Sequence, residues 1–123
     1  MEKEWLKEPN RKEFTYRGYH CFIQRHMQLG HLCGYVDLPK SSKFYGVDYY
    51  KISNISVHGD LTYSNWSDST KKLWRIGFDC AHSDDFLPYG TFALTGTVYR
   101  NINYVENQIK QMIDQIIELE KEK

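Results

Sequence analysis

The densest group of reactive side chains in the chain is Asp79-Cys-Ala-His82-Ser-Asp84-Asp85, which leaves an apolar run ending at Phe78. A strand end holds such groups at one side while the following loop leaves room at the other, so Asp79, His82 and Asp85 are candidate ligand-binding residues. Their competing role is to hydrogen-bond backbone at the strand exit, with Cys80 packed inside. His58, Asp60, Asp79, Cys80, His82 and Asp84 include metal-ligand types. Their spacing matches no recognised zinc motif, and no metal or other cofactor is expected. Nucleophilic catalysis fits no better, because the chain has neither a nucleophile elbow nor a glycine-rich phosphate loop. A cysteine inside an apolar strand, as Cys80 is, makes a poor thiolate.

A second group, Tyr99-Arg100-Asn101 with Asn103, opens the last periodic segment. An arginine beside the free N–H groups of a helix start makes a local anion site. The alternative is that Arg100 pairs with an acidic residue such as Asp79 or Asp85. Arg17, Arg25 and Arg75 are further cations, and Arg25 joins the candidate set. His58, Tyr63 and Ser64 complete it from the segment before the long strand. Position suggests that Phe78, leaving a rigid strand, and Arg100, at the helix start, share one site for an anionic, ring-bearing ligand. His82 and Tyr63 then lie nearby.

The elements that must position these groups follow from periodicity. Residues 14–17 and 20–25 flank Gly18 as a β-hairpin, and residues 32–38 form a third strand closed by Pro39. Residues 39–54 read as an aromatic loop. Short strands are expected over 55–58 and 61–64, followed by a polar loop tip at 65–70. The most apolar strand covers 73–81, in a central position. Residues 82–96 form a long connection, of the kind that carries function. A helix over 101–122 begins near Asn101 or Asn103, with Glu106 as a capping-box partner of Asn103. Its apolar residues Ile102, Val105, Ile109, Met112, Ile116 and Leu119, widened by Ile113 and Ile117, fit either a sheet or a second copy of the helix. That width predicts self-association. The fold class expected is α+β: an antiparallel sheet of about five to six short strands (14–98) and one long C-terminal amphipathic helix, in a single domain (1–123) with a flexible arm at 1–13 anchored at most by Trp5.

With 123 residues the chain is large enough to bury a core without staples. Sixteen Lys and Arg balance sixteen Asp and Glu, so no global field exists to hold a long nucleic acid. Three cysteines cannot all pair within one chain, and no 18-residue apolar span appears, which predicts free thiols, a cytoplasmic setting and no membrane partner.

The segments Leu29-Gly-His-Leu-Cys-Gly-Tyr-Val36, Val57-His-Gly-Asp-Leu-Thr-Tyr-Ser64, Trp74-Arg-Ile-Gly-Phe-Asp-Cys-Ala-His82 and Tyr99-Arg-Asn-Ile-Asn-Tyr-Val105 resemble a set of small phage and prophage proteins. The chain looks most like the phage sponges that counter the Thoeris anti-phage defence. The resemblance implies a non-enzymatic protein, working in the cytoplasm of an infected bacterium, that captures cyclic ADP-ribose isomers. It also implies a homo-oligomer, a dimer or trimer of dimers, with pockets at subunit interfaces; some members hold cyclic oligonucleotides at a second site. Asp60 stands where related sequences tend to carry Gly, and Arg75 where an aromatic is common. Aromatic faces suit an adenine, Arg a pyrophosphate, and Asp or Asn ribose hydroxyls. Two other functions remain open: an inhibitor that docks a host enzyme through a tyrosine-rich surface, and a hydrolase using His58 with the 79–85 cluster.

Overall fold

Residues 11–25 carry aromatic and β-branched side chains on either side of Arg17-Gly18, whose φ angles are both positive, 50° and 88°. Two left-handed residues in a two-residue loop match the twist of an antiparallel pair. Accordingly β1 (Arg11–Tyr16) and β2 (Tyr19–Arg25) pair with Tyr16 opposite Tyr19. The computed structural model describes residues 3–90 and 96–122. In it, β3 (Leu32–Leu38) follows β2, and β5 (Trp74–Asp79) lies between β3 and the edge strand β4 (Tyr63–Trp66). All four pairings are antiparallel, in the order β1-β2-β3-β5-β4. With the long helix that follows, the architecture is α+β. Among the described residues, no helix is long and apolar enough to cross a membrane.

Strand alternation gives the sheet two unlike faces. Cys21, Ile23, Leu32, Val36, Leu38, Ile76 and Phe78 are buried in the core. They lie beneath the terminal helix (Ile102–Lys121), which is the chain's second, after a single turn, α1, at Glu4–Lys7. This long helix, α2, is capped by Asn101, whose side chain accepts the Tyr104 N–H at 2.8 Å. Asn103 lies inside the helix and does not cap it. Gly34 allows the close packing: a Cβ there would stand 2.7 Å from the Phe78 ring and 3.0 Å from Ile109.

Residues 55–58 are not a strand. Their backbone is satisfied by glutamines of α2: Ser56 N–H donates to Gln115, His58 N–H donates to Gln108, and Gln115 donates back to Ser56 O. Ile55, Val57 and Leu61 from this stretch are buried in the core with Ile113 and Ile116. The wide apolar stripe of α2 therefore covers both the sheet and this segment within one chain, which removes the reason for expecting the stripe to need a second copy.

Ordered structure also starts earlier than residue 14. Trp5 of α1 packs on Phe86 and Tyr99 at 5.2 and 5.3 Å, and Glu8 accepts the Ile102 N–H at 2.8 Å. A carboxylate at a helix N-terminus complements its dipole. The arm at 3–10 is thus pinned by more than its tryptophan. Residues 91–95 of the expected long connection lie outside the described residues. What is described of it returns alongside itself, with Asp85 bridged to Val98 and the Tyr89 N–H donating to Leu29 O.

Gly34→Ala should therefore cost about 1–3 kcal/mol of stability through overpacking. Adding Phe78→Leu should recover part of that loss, read by urea denaturation as a double-mutant cycle. Strict additivity of the two changes would contradict the packing described.

Candidate functional site

The face of the sheet away from α2 carries Cys33 and Tyr35 from β3, Asp79 from β5 and Tyr63 from β4. Tyr35 reaches across β5 because the residue beneath it is Gly77, where a Cβ would come within 2.5 Å of its ring. Its ring stacks on Phe22 at 4.7 Å and meets Tyr63 edge-on at 5.3 Å. Beside this aromatic wall lies a cleft of about 470 Å³ whose lining also includes His26, His31, Thr62, Asp79 and His82. A second recess of about 500 Å³, over the β2–β3 turn, shares His26, Cys33 and Tyr35 with it.

Turn closure creates the histidine side of the cleft. Arg25 and Leu32 are the last paired residues of β2 and β3, so His26 and His31 face each other, with their rings stacked at 4.8 Å and 16°. His26 Nδ1 accepts the Leu29 N–H at 3.1 Å. His31 is only 4% exposed, and its Nδ1 has no hydrogen-bond partner among the described residues. Burial, then the neighbouring His26, pushes the His31 imidazole below its usual range, so it is neutral near pH 7.

Opposite stands the strand exit. Asp79 accepts the Thr62 hydroxyl at 2.8 Å and the Ala81 N–H at 3.1 Å. The His82 ring, donating from Nε2 to Asp79 O, is wedged against Gly59, where a Cβ would lie 2.0 Å from that nitrogen.

Next to the cleft, the Asp85 side chain is fully buried. It accepts the His82 N–H at 3.0 Å, His58 Nε2 at 2.9 Å and Arg100 Nε at 2.9 Å. His58 Nδ1 lies 2.7 Å from the Tyr104 hydroxyl, so both of its nitrogens are engaged. Burial alone would push Asp85 up, but the Arg100 and His58 hydrogen bonds and the His82 N–H outweigh it and hold the carboxyl below the usual range. Arg100 also lies 3.4 Å from Asp84.

The structure brings Tyr63, Asp79 and His82 together at the cleft, and His58, Asp85 and Arg100 into the adjoining network. Phe78 is among the residues lining the cleft while Arg100 lies in the adjoining network, so the two do not meet in that cleft. The Phe78 ring is 1% exposed and rests over Gly34 against Ile109, as core. Arg25 and Tyr99 belong to the arm: Arg25 donates to Gly30 O, Asn10 and the Tyr99 hydroxyl, which in turn donates to Glu8. Ser64 accepts the Tyr49 N–H and steadies the aromatic loop. Asn103 is exposed on the first turn of α2. All three cysteines are free and buried, and burial pushes Cys33 up to about 11 and Cys21 up to about 12. Among the described residues, no group of three or more His, Cys, Asp or Glu is placed to hold a metal ion.

His26, His31, Tyr35 and Thr62 are site residues that the sequence alone does not single out. A signal exists for the first two, since residues flanking a tight hairpin turn must meet. Comparison with protein-family models, curated proteins and solved structures found no match to this chain.

Because Asp85 is held below its usual range, its stabilising effect is present above the ordinary carboxylate value of about 4 and is lost as the pH falls through the folded one. Arg100→Ala leaves only the His58 bond and the His82 N–H to oppose burial. It should lower stability by about 1–3 kcal/mol at pH 7, with the difference in Tm from the parent narrowing as the pH falls below about 4. A pH-independent gap in thermal melts would show that Arg100 does not act through the Asp85 charge.

Proposed function

We propose that the protein binds and sequesters, without degrading it, a small cyclic nucleotide signal of the cyclic ADP-ribose type, and so blocks a bacterial anti-phage defence. One observation carries this reading. Three of the four segments that resemble the phage sponges supply, among the described residues, every one that lines the cleft except His26, and the fourth supplies Arg100 and Tyr104 of the adjoining network. Segments far apart in the chain thus converge on one concave surface.

The chemistry of the lining supports a ring-bearing ligand. Tyr35 and Tyr63 present phenol faces and edges, which stack on bases with little sequence preference. Sequestration also fits the inert groups present: the thiols are buried and protonated, and both nitrogens of His58 are engaged.

The test is to mix the protein with a cyclic ADP-ribose isomer, remove unbound ligand, heat-denature the complex and analyse what is released. Recovery of intact isomer is expected. Recovery of a hydrolysed product would identify an enzyme, and no retention would leave an inhibitor of a host protein. Tyr63 is 36% exposed, so Tyr63→Ala should leave the thermal melt close to the parent's while weakening binding by roughly 1–3 kcal/mol. Unchanged affinity would remove Tyr63 from the site.

A further inference from the structure

The charge inside the cleft constrains which part of a nucleotide it can accept. Among the described residues, its lining holds one carboxylate, Asp79, and no Lys or Arg. Arg25 borders the adjoining recess, but its guanidinium is already bonded to Gly30 O, Asn10 and Tyr99. A phosphate placed in the cleft would meet a like charge and lose its hydration without a Lys or Arg to replace it.

The same groups suit a neutral sugar and base. Asp79 is 30% exposed at its side chain, with Oδ1 3.5 Å from a His82 Nε2 that donates to Asp79 O, and each of its oxygens accepts one hydrogen bond, Oδ2 from Thr62 and Oδ1 from Ala81. A carboxylate has about four acceptor positions, so one remains on each oxygen. A vicinal diol donates two O–H groups side by side and can take both. The base then lies against Tyr35 and Tyr63. His31 adds a neutral imidazole that is almost fully buried and whose Nδ1 is unpartnered. Buried polar groups rarely go unpaired, and a ligand that pairs one recovers the cost of leaving it so.

We infer that the cleft reads the nucleoside portion of its ligand, with a base against the Tyr35 and Tyr63 rings and a ribose diol on Asp79, while phosphate groups stay outside. This rests on the proposal that the cleft binds a nucleotide signal. It makes Asp79 the residue that determines sugar specificity, and His31 the buried group that the base edge completes.

The test is calorimetry on the full chain with four probes: a cyclic ADP-ribose isomer, adenosine, 2′,3′-dideoxyadenosine and inorganic pyrophosphate. Adenosine should bind, dideoxyadenosine should bind at least about tenfold more weakly for the loss of both hydroxyl contacts to Asp79, and pyrophosphate should not compete with adenosine. Asp79→Asn should remove the preference for adenosine over dideoxyadenosine and leave dideoxyadenosine binding as it was. The comparison of the two nucleosides on the unsubstituted protein stands even if that variant fails to fold. Equal affinity for the two nucleosides, or competition by pyrophosphate, overturns the inference. If the cyclic isomer binds and adenosine does not, this inference fails while sequestration stands; if neither binds, both fail.

Discussion

Asp85 keeps its charge away from water, and donors from three parts of the chain compensate it: the His82 N–H at the exit of β5, His58 from the segment lying on α2, and Arg100 just before α2 begins. Removing any of these would leave a buried carboxylate short of a partner, a costly state in a low-dielectric interior. The geometry around it follows. Asp85 fixes where the chain turns after β5, which sets the His82 ring beside Asp79. It also holds the turn at Gly59 against that ring, since only a residue without a Cβ fits there. The wall of the cleft is thus built on an ion-paired network that faces inward.

The second constraint is that one helix can cover only one face of a five-stranded sheet. The opposite face is closed at the β1–β2 end by charge. Phe22, only 4% exposed, lies within 4.3 Å of the Arg11 guanidinium and 4.4 Å of that of Arg75, with Tyr35 stacked beside it. Asp37 anchors Arg75 and also pairs with His20, whose imidazole is raised above its usual range by the Asp37 hydrogen bond and then by Glu13. Toward β4 no such shield forms among the described residues. Tyr35 and Tyr63 stand there with Asp79 and the turn histidines, and the face opens into the cleft.

The helix is legible in the sequence because apolar residues repeating every three or four positions fall on one side only if the chain is helical, whereas its start is legible only as Asn101 or Asn103, and the structure takes Asn101. The hairpin at Arg17-Gly18 is equally plain. The strand expected at 55–58 fails because Ile55 and Val57 alternate as a half-buried strand does, yet the backbone bonds of the intervening Ser56 and of His58 go to Gln115 and Gln108, and side-chain partners fifty or more residues away leave no local trace. At the site, the 79–85 cluster and Tyr63 are visible as residue types. Tyr35 is hidden inside a nearly continuous apolar run, where the alternation of Cys33, Tyr35 and Asp37 onto the open face becomes clear only once α2 is known to take the other. Phe78 misleads for the same reason in reverse: on β5 it alternates toward the helix. Residue type alone leaves Arg100 equally suited to an anion site or to a pairing with Asp85, and only the fold's proximity decides for the pairing.

The account stands on ligand binding at the open face, beside the Asp85 network and away from the helix. Amide chemical-shift mapping during titration with a cyclic ADP-ribose isomer measures this directly. The account predicts perturbations centred on His31, Tyr35, Thr62, Tyr63, Asp79 and His82, with the exposed face of α2 unaffected. Perturbations confined to α2, or centred on the arm around Arg25 and Tyr99, would contradict it.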